Sequence, residues 1–546
     1  MNKLAKRIQI IGILLGFVCL LEPSCAQKQD HGPGAAEFLM EAMPTNLDPR
    51  IGTDAYSQHL DGLIFSSLVG HDDNMNVAPD LAERWETPDA RTYVFHLRRG
   101  VKFHDGRPLE AADVKFTFDS ILAGAVKTAK RGAYRMVESV EAPDEATVVF
   151  HLREPYASFL WDLTRPGIGI VPRGAGADFA RHPIGSGPFR FVSMQTDEEI
   201  VLERYAEYFG DQTGAQTAKA DPPATEFTDR RDAFRNDSGQ AGVTGMIERV
   251  RFRIVPDAIV RALELRKGSA DAEINSLTPD MVTTLAKEHG IAIEEQAGTP
   301  VAYIGFNFDD PVLGRREVRQ ALAYATDRAT MIRYLLRGQA RPAYSLLPAE
   351  HWAYDPEVPR YDYDPARAER MLDAAGLRRG PDGVRLRLTL KTSTDASARL
   401  VAEVIAEEWK RVGVALELRS LEYGTFYSDI TRGSFQLFTS RWVGGNNDPD
   451  IFEYVFSSKK IPPDGANRGH YRNPKLDGLL DAARVEADRE KRKAILWEIQ
   501  KIVGVDEPYL LLWYLDNVCV HRERLTDVKI PPGGDYDFLT HARLRE

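Results

Sequence analysis

The chain has 546 residues, more than one hydrophobic core holds, so two or three core-bearing lobes are expected. Hydrophobic residues make up 43% and charged residues 28%, a globular balance that excludes a disordered or fibrous chain. The formal charge of −11, with no Lys/Arg block, argues against nucleic acid as a partner, and Cys19, Cys25 and Cys519 form no CxxC, which removes a disulfide scaffold and a zinc ribbon.

Lys3, Lys6 and Arg7 form a positive head before the 14 largely apolar residues Ile8 to Leu21. A bilayer core needs about 20 apolar residues, so this run is short for a permanent span. With Pro23, Ser24, Cys25 and Ala26 behind it, it reads as a secretory signal peptide, residues 1–24 or 1–26. Two processing routes stay open. Cleavage after Ser24 makes Cys25 the lipidation site of a membrane-anchored lipoprotein, although Glu22 stands where such signals place an aliphatic residue. Cleavage after Ala26 frees a soluble protein. Both routes deliver a periplasmic or otherwise extracytoplasmic protein, in which Cys519 is expected to be a buried, inert thiol.

From Ala36 to about Val192 the pattern is mostly β with short helices. Thr92–Arg98 and Thr147–Arg153 alternate apolar and polar residues, as half-buried strands of one sheet should. Residues 210–245 contain no Leu or Ile and cannot bury enough apolar surface to offset their ordering entropy. They are expected to be a flexible surface insertion, dispensable for folding. Beyond Arg249 the pattern becomes α/β. Val384, Leu386, Leu388 and Leu390 alternate as a strand; Asp395 caps a helix carrying Leu400, Val404, Ile405, Trp409 and Val412; Gly413 stops it, and Val414–Arg419 alternates again. That is a βαβ crossover, which requires a parallel pair. Glu317–Arg337, Ala366–Gly376 and two segments within Lys475–Val503 are further predicted helices, and Tyr509–Val520 is a buried strand.

No P-loop, GxSxG, HExxH or EF-hand motif is present, and the 12 histidines are scattered, with His96 and His104 eight residues apart. No metal site, cofactor or acid/base pair is expected. A binding protein is favoured over an enzyme; the rival from another class, a secreted hydrolase, needs a nucleophile paired with a base, and the sequence shows no such set.

Several segments identify a family. Asn46–Pro49, Leu63–Val69, Ala78–Trp85, Thr92–Pro108, Ala112–Phe118, Pro183–Phe189, Tyr303–Asn307, Glu317–Ala325 and Asn467–Asn473 together resemble, in order and spacing, the bacterial extracellular solute-binding proteins of family 5, the peptide/nickel-type binding components of ABC importers. The resemblance implies an α/β, two-lobed periplasmic-binding-protein fold, type II and cluster C-like, with an extra subdomain in the N-terminal lobe and two hinge strands. Lobe I would begin at 27–64, carry the extra subdomain at 65–182 and continue through 183–300. Lobe II would span 301–507, and 508–546 would return to lobe I. The crossings would be the Gly305–Asn307 region and the Tyr509–Tyr514 strand. The expected protein is a monomer that captures a peptide or peptide-like solute by closure, without a chemical step, and delivers it to ABC permease subunits. Within these motifs, His104 reads as a turn or packing residue, Gly185, Gly187 and Pro188 as a tight, backbone-close turn, and Asp113 as a first-turn helix acid.

Thr439–Pro449 resembles the family loop that lines the cleft. Peptide binders of the family place an aspartate three residues after its tryptophan to grip the ligand ammonium; here the tryptophan is Trp442 and that position is Gly445. A buried ammonium without a counter-charge is costly, which keeps open a non-peptide solute such as an oligosaccharide, nickel chelate or haem. Asp448 either substitutes for the missing carboxylate or starts a turn with Pro449. Asn446 is a candidate hydrogen-bonding residue for a neutral ligand, Trp442 an aromatic wall, Arg441 a carboxylate partner, and Tyr303, Trp513 and Tyr514 aromatic liners or interlobe packing.

Overall fold

Two mixed sheets, each with its own hydrophobic core, organise the polypeptide. The computed structural model describes residues 34–72, 76–164, 168–210, 244–443 and 448–545. The expected signal peptide, Cys25, most of the 210–245 insertion, Gly445 and Asn446 lie outside the described residues.

The first sheet has seven strands in the order Ile291–Gln296, Asn517–Arg522, Ala272–Ile274, Ala35–Met40, Arg249–Ile254, Glu199–Arg204 and Phe189–Gln195. Ala35–Met40 runs parallel to both neighbours, is almost wholly buried and reads as a near-continuous apolar run, as strands covered on both faces do. Phe38 meets Phe252 and Tyr536 at ring-centroid distances of 5.3 and 4.8 Å. Cys519 is buried in this core, and burial pushes its thiol pKa well up, which keeps it an unreactive apolar group.

The second sheet has six strands in the order Ala340–Pro342, Tyr509–Leu515, Val301–Phe306, Leu437–Trp442, Leu386–Ser393 and Val414–Leu421. Its last two strands are parallel over eight register pairs and are joined by the helix Ala396–Arg411, whose Asp395 cap accepts from Ala398 N–H at 2.8 Å. Trp409 on that helix is fully buried, its Nε1–H donating to Thr326 Oγ1 at 2.9 Å. The segment 317–337, which the sequence pattern joins into one helix, divides into Arg316–Tyr324 and Arg328–Tyr334. The break has a local cause: the Asp327 carboxylate accepts from Thr330 N–H at 3.0 Å and starts a new helix.

A four-stranded antiparallel sheet, Ala82–Asp89, Thr92–Leu97, Thr147–Leu152 and Val137–Glu141, forms the extra subdomain. The two strands of similar chemistry are neighbours, Thr92 facing His151, and pack Phe95 and Phe150 against Phe118 of the helix Ala111–Leu122. Asp113 closes the start of that helix by accepting from Glu110 N–H at 2.9 Å.

The chain passes between the two large sheets twice, at 297–300 and at 515–517. This corrects the expected crossings. Gly305–Asn307 lies at the far end of a strand wholly inside the second sheet, and Tyr509–Leu515 pairs with Val301–Phe306 there, so the return to the first lobe starts at Asp516 and not at residue 508. The uniform apolar run Tyr509–Val520 hides this switch, because both of its halves are buried, in two different cores.

Gly185 sits where a Cβ would lie 1.9 Å from the Ile64 carbonyl oxygen, so only glycine allows the approach. His104 fastens this turn: its Nε2–H donates to the Gly187 carbonyl at 3.0 Å, and its Nδ1 accepts from Gly185 N–H at 3.3 Å. That pattern requires the neutral ring. Burial first, with Arg190 adding to it, pushes the His104 pKa down to about 4. The unfolded chain titrates near 6.5, so as pH falls from there to about 4 it takes up a proton that the folded chain refuses, and stability is lost across that window. In urea titrations the stability gap between wild type and His104→Gln is therefore expected to shrink by about 2 kcal/mol between pH 7 and pH 4. A gap independent of pH overturns the neutral-ring assignment.

Candidate functional site

Trp442 ends the strand Leu437–Trp442 and pairs with Val301, one residue beyond the crossing at Pro300. Six residues on, Asp448 is buried and accepts from Ser158 Oγ of the first-lobe subdomain at 2.9 Å. Trp442 and Asp448 therefore both lie where the two lobes meet. Asp448 also accepts from Asp450 N–H at 2.7 Å, which opens the helix Ile451–Phe456 and matches the turn-starting role of an Asp-Pro pair.

Ser158 belongs to a polar clasp between the subdomain and two second-lobe helices, Pro474–Val485 and Arg489–Asp506. Arg492 donates to Ser158 Oγ at 2.7 Å and pairs with Asp450 at 2.9 Å, its side chain almost completely buried. Around it, Arg484 pairs with Glu154 at 2.6 Å, Ala157 N–H donates to the Arg484 carbonyl at 2.8 Å, and Arg489 donates to Asn76 at 2.7 Å.

One face of the second sheet carries an aromatic group beside this boundary. Alternation along Val301–Phe306 sends Val301 and Tyr303 to that face and Ile304 and Phe306 to the opposite one. Tyr303 stacks on Tyr509 at 4.1 Å and lies parallel to Trp442 at 6.2 Å; Trp442 meets Tyr454 edge-on at 6.1 Å. The Arg468 guanidinium lies 5.4 Å from the Trp442 ring and 5.2 Å from that of Tyr427. The Tyr303 and Tyr509 hydroxyls and Trp442 Nε1 are buried without a hydrogen-bond partner. Arg468, Ser440 and Tyr509 come close enough to influence the Tyr303 hydroxyl, yet none reaches it in hydrogen-bond geometry. Burial raises the Tyr303 pKa against the pull of Arg468, and burial, with Tyr303 adding to it, drives that of Tyr509 well up, so both phenols are neutral donors.

The other expected site residues are placed differently. Arg441 is exposed on the strand beside Trp442. Trp513 packs in the core on the sheet's opposite face, among Ile304 and Leu512. The Tyr514 hydroxyl donates within the second lobe, with the Ser345 and Leu347 carbonyls at 2.5 and 2.7 Å. Both rings are held in the second-lobe core, because adjacent residues of a strand point to opposite faces and here both faces are covered. The sequence reading missed Arg468, Tyr509, Tyr427 and Tyr454. Arg468 lies inside the motif Asn467–Asn473, but nothing in that spacing shows that its side chain is buried against Trp442.

Among the described residues no group of three or more His, Cys, Asp or Glu side chains is arranged to hold a metal ion, and no helix is long and apolar enough to cross a membrane. A hollow of about 320 Å³ lined by His104, Asp105, Arg190 and Glu203 belongs to the first lobe and is not bordered by the second.

Residues 76–463 match the family model described as bacterial extracellular solute-binding proteins, family 5 Middle. The dipeptide-binding protein of Escherichia coli K12 is 27% identical over 533 residues, spanning 92% of this chain and 93% of its own. The oligopeptide-binding protein AppA of Bacillus subtilis, solved with a nonapeptide, superposes with a TM-score of 0.72 at 25% identity, covering 94% of this chain and 99% of its own. NikZ of Campylobacter jejuni, solved with Ni(L-His), gives a TM-score of 0.72 at 25% identity, covering 91% and 96%.

Breaking a buried ion pair from one side leaves an uncompensated charge, so Arg492→Leu is expected to cost about 3 kcal/mol of unfolding free energy in urea titrations. A loss below about 0.5 kcal/mol, the scale of an exposed pair, would show that the clasp does not hold in solution.

Proposed function

The chain belongs to the bacterial extracellular solute-binding proteins of family 5, and from that premise we propose that it is the extracytoplasmic capture component of an ABC importer, closing two lobes on a peptide or peptide-like solute that it leaves chemically unchanged. One observation carries the mechanism. The two crossings, 297–300 and 515–517, lie side by side, with Leu515 N–H donating to the Pro300 carbonyl at 2.9 Å. Two lobes joined at one narrow place rotate about it, and a solute touching both lobes favours the closed form by the difference in its affinity for the two states. Permease subunits then distinguish loaded from empty protein by shape.

Trp442 supplies the aromatic wall, with Tyr303 behind it and with Arg441 and Asp448 at the lobe boundary; Gly445 and Asn446 are solute-contact candidates on the sequence alone. Trp513 and Tyr514 hold the second-lobe end of the hinge and do not touch solute. Cleavage after Ser24, with Cys25 lipidated, would tether the protein to a membrane; cleavage after Ala26 would release it. A non-peptide solute is the second reading, favoured by Gly445, which offers no carboxylate to an ammonium group.

Because Gly445 cannot neutralise a free N-terminus, N-acetylation of a dipeptide is expected to change its calorimetric affinity by less than about threefold, or 0.7 kcal/mol. Small-angle scattering is expected to show compaction at saturation. Tight binding abolished by acetylation overturns the neutral-terminus reading, and saturation without compaction overturns closure.

A further inference from the structure

The aromatic group at the lobe boundary has a polarity that its hydrophobic surroundings conceal. Arg468 is 8% exposed. Its guanidinium makes one side-chain hydrogen bond among the described residues, a long one of 3.3 Å to the Tyr427 hydroxyl. No carboxylate of the described residues pairs with it, whereas the other deeply buried arginines are otherwise secured: Arg50 by Asp48, Arg492 by Asp450, and Arg261, Arg319 and Arg328 by sets of backbone carbonyls. Burying an ion without a counter-ion is costly, and ring contacts of the kind made with Trp442 and Tyr427 return only part of that cost. In the same aromatic group, the Tyr303 and Tyr509 hydroxyls and Trp442 Nε1 are buried and unpartnered. Guanidinium and indole only donate, and each phenol adds a donor beside its acceptor lone pairs, so donors outnumber acceptors and the group carries a positive charge. The partner that satisfies both is an anion with several lone pairs, and a guanidinium fork matches a planar carboxylate in particular.

We propose that Arg468, with Tyr303, Tyr509 and Trp442 around it, is a specificity site that anchors a carboxylate of the captured solute, so that this protein selects its cargo by the negative end. The assignment rests on the reading of the chain as a solute-capture protein. Trp442 connects the site to the lobe boundary: it forms one ring wall of the arginine and ends the strand beside the crossing. Tyr427, the other ring beside Arg468, is 45% exposed. The solute's carboxylate pairs with Arg468 while the rest of it lies against Trp442 and the opposing lobe.

Calorimetry on the mature protein tests this with two matched pairs: N-acetyl-dialanine against its C-terminal amide, and succinate against succinamide. Losing one partner of a buried charge pair costs about 2 kcal/mol or more, so the acid of a bound pair is expected to bind at least about 30-fold tighter than its amide. In Arg468→Gln that preference is expected to fall to about threefold or less, and in Arg468→Lys, which keeps the charge and loses the fork, to take an intermediate value. Melting curves establish that each variant folds; should Arg468→Gln not fold, the wild-type acid-to-amide ratio and Arg468→Lys decide the matter. Acid and amide bound equally by wild type, or a preference unchanged in Arg468→Gln, overturns the carboxylate site while leaving peptide capture intact. If neither acetylated peptide binds and succinate does so in an Arg468-dependent way, peptide capture fails and the carboxylate site stands. No saturable binding of either acid overturns the site.

Discussion

The structure depends on how closely the two crossing segments approach each other. A Cβ at Gly298 would lie 2.3 Å from the Leu515 carbonyl oxygen, so the backbones of both crossings meet directly with no side chain between them. Had they been separated, each lobe would be held at two distant points and rotation would have to strain one connection. Held together, they form one narrow joint. The joint is reinforced by Arg341, which donates to the Gly298 carbonyl at 2.7 Å and pairs with Asp516 at 3.1 Å, and by Asn517, which links Asn275 to the Pro532 carbonyl. Polar contacts of this kind tolerate small rotations better than interdigitated apolar packing.

From that joint the position of the site follows. Val301, first residue after the crossing, sets the register of Trp442, and the alternation of the strand then places Tyr303 on the same face. A second, independent contact between the lobes comes from the subdomain, whose Ser158 reaches Asp448 and Arg492. Trp442 thus stands beside the hinge and Asp448 within the clasp. Closure has a pivot and a catch, and the aromatic group with Arg468 lies against the strand end between them.

Some of this could be read without coordinates because it rests on local rules. The βαβ unit at 386–421 was visible in the period of its apolar residues and in Asp395 and Gly413 at its ends. The likeness of Thr92–Arg98 to Thr147–Arg153 reflected adjacent strands of one subdomain sheet, and His104 with Gly185 proved to be a packing pair. Other features resisted for equally physical reasons. The run Tyr509–Val520 is apolar throughout because both halves are buried, so composition could not show that Asp516 divides it between lobes. The chain direction at Trp513 and Tyr514 pointed towards the hinge, but the side chains follow the faces of a sheet covered on both sides. Thr326 and Asp327 interrupt what periodicity alone joins into one helix.

What the amino-acid order determined by itself was the set of local choices: where strands and helices form, which turns need glycine, which family the chain resembles, and that position 445 carries no charge. These depend on neighbours a few residues apart. Which polar groups lack partners was decided only by the tertiary structure, because Arg468, Trp442, Tyr303 and Tyr509 are far apart in the chain and their environment is a sum over segments that meet only in the folded protein. The charge of a residue is written in the sequence, whereas its burial and its missing counter-ion are properties of everything packed around it.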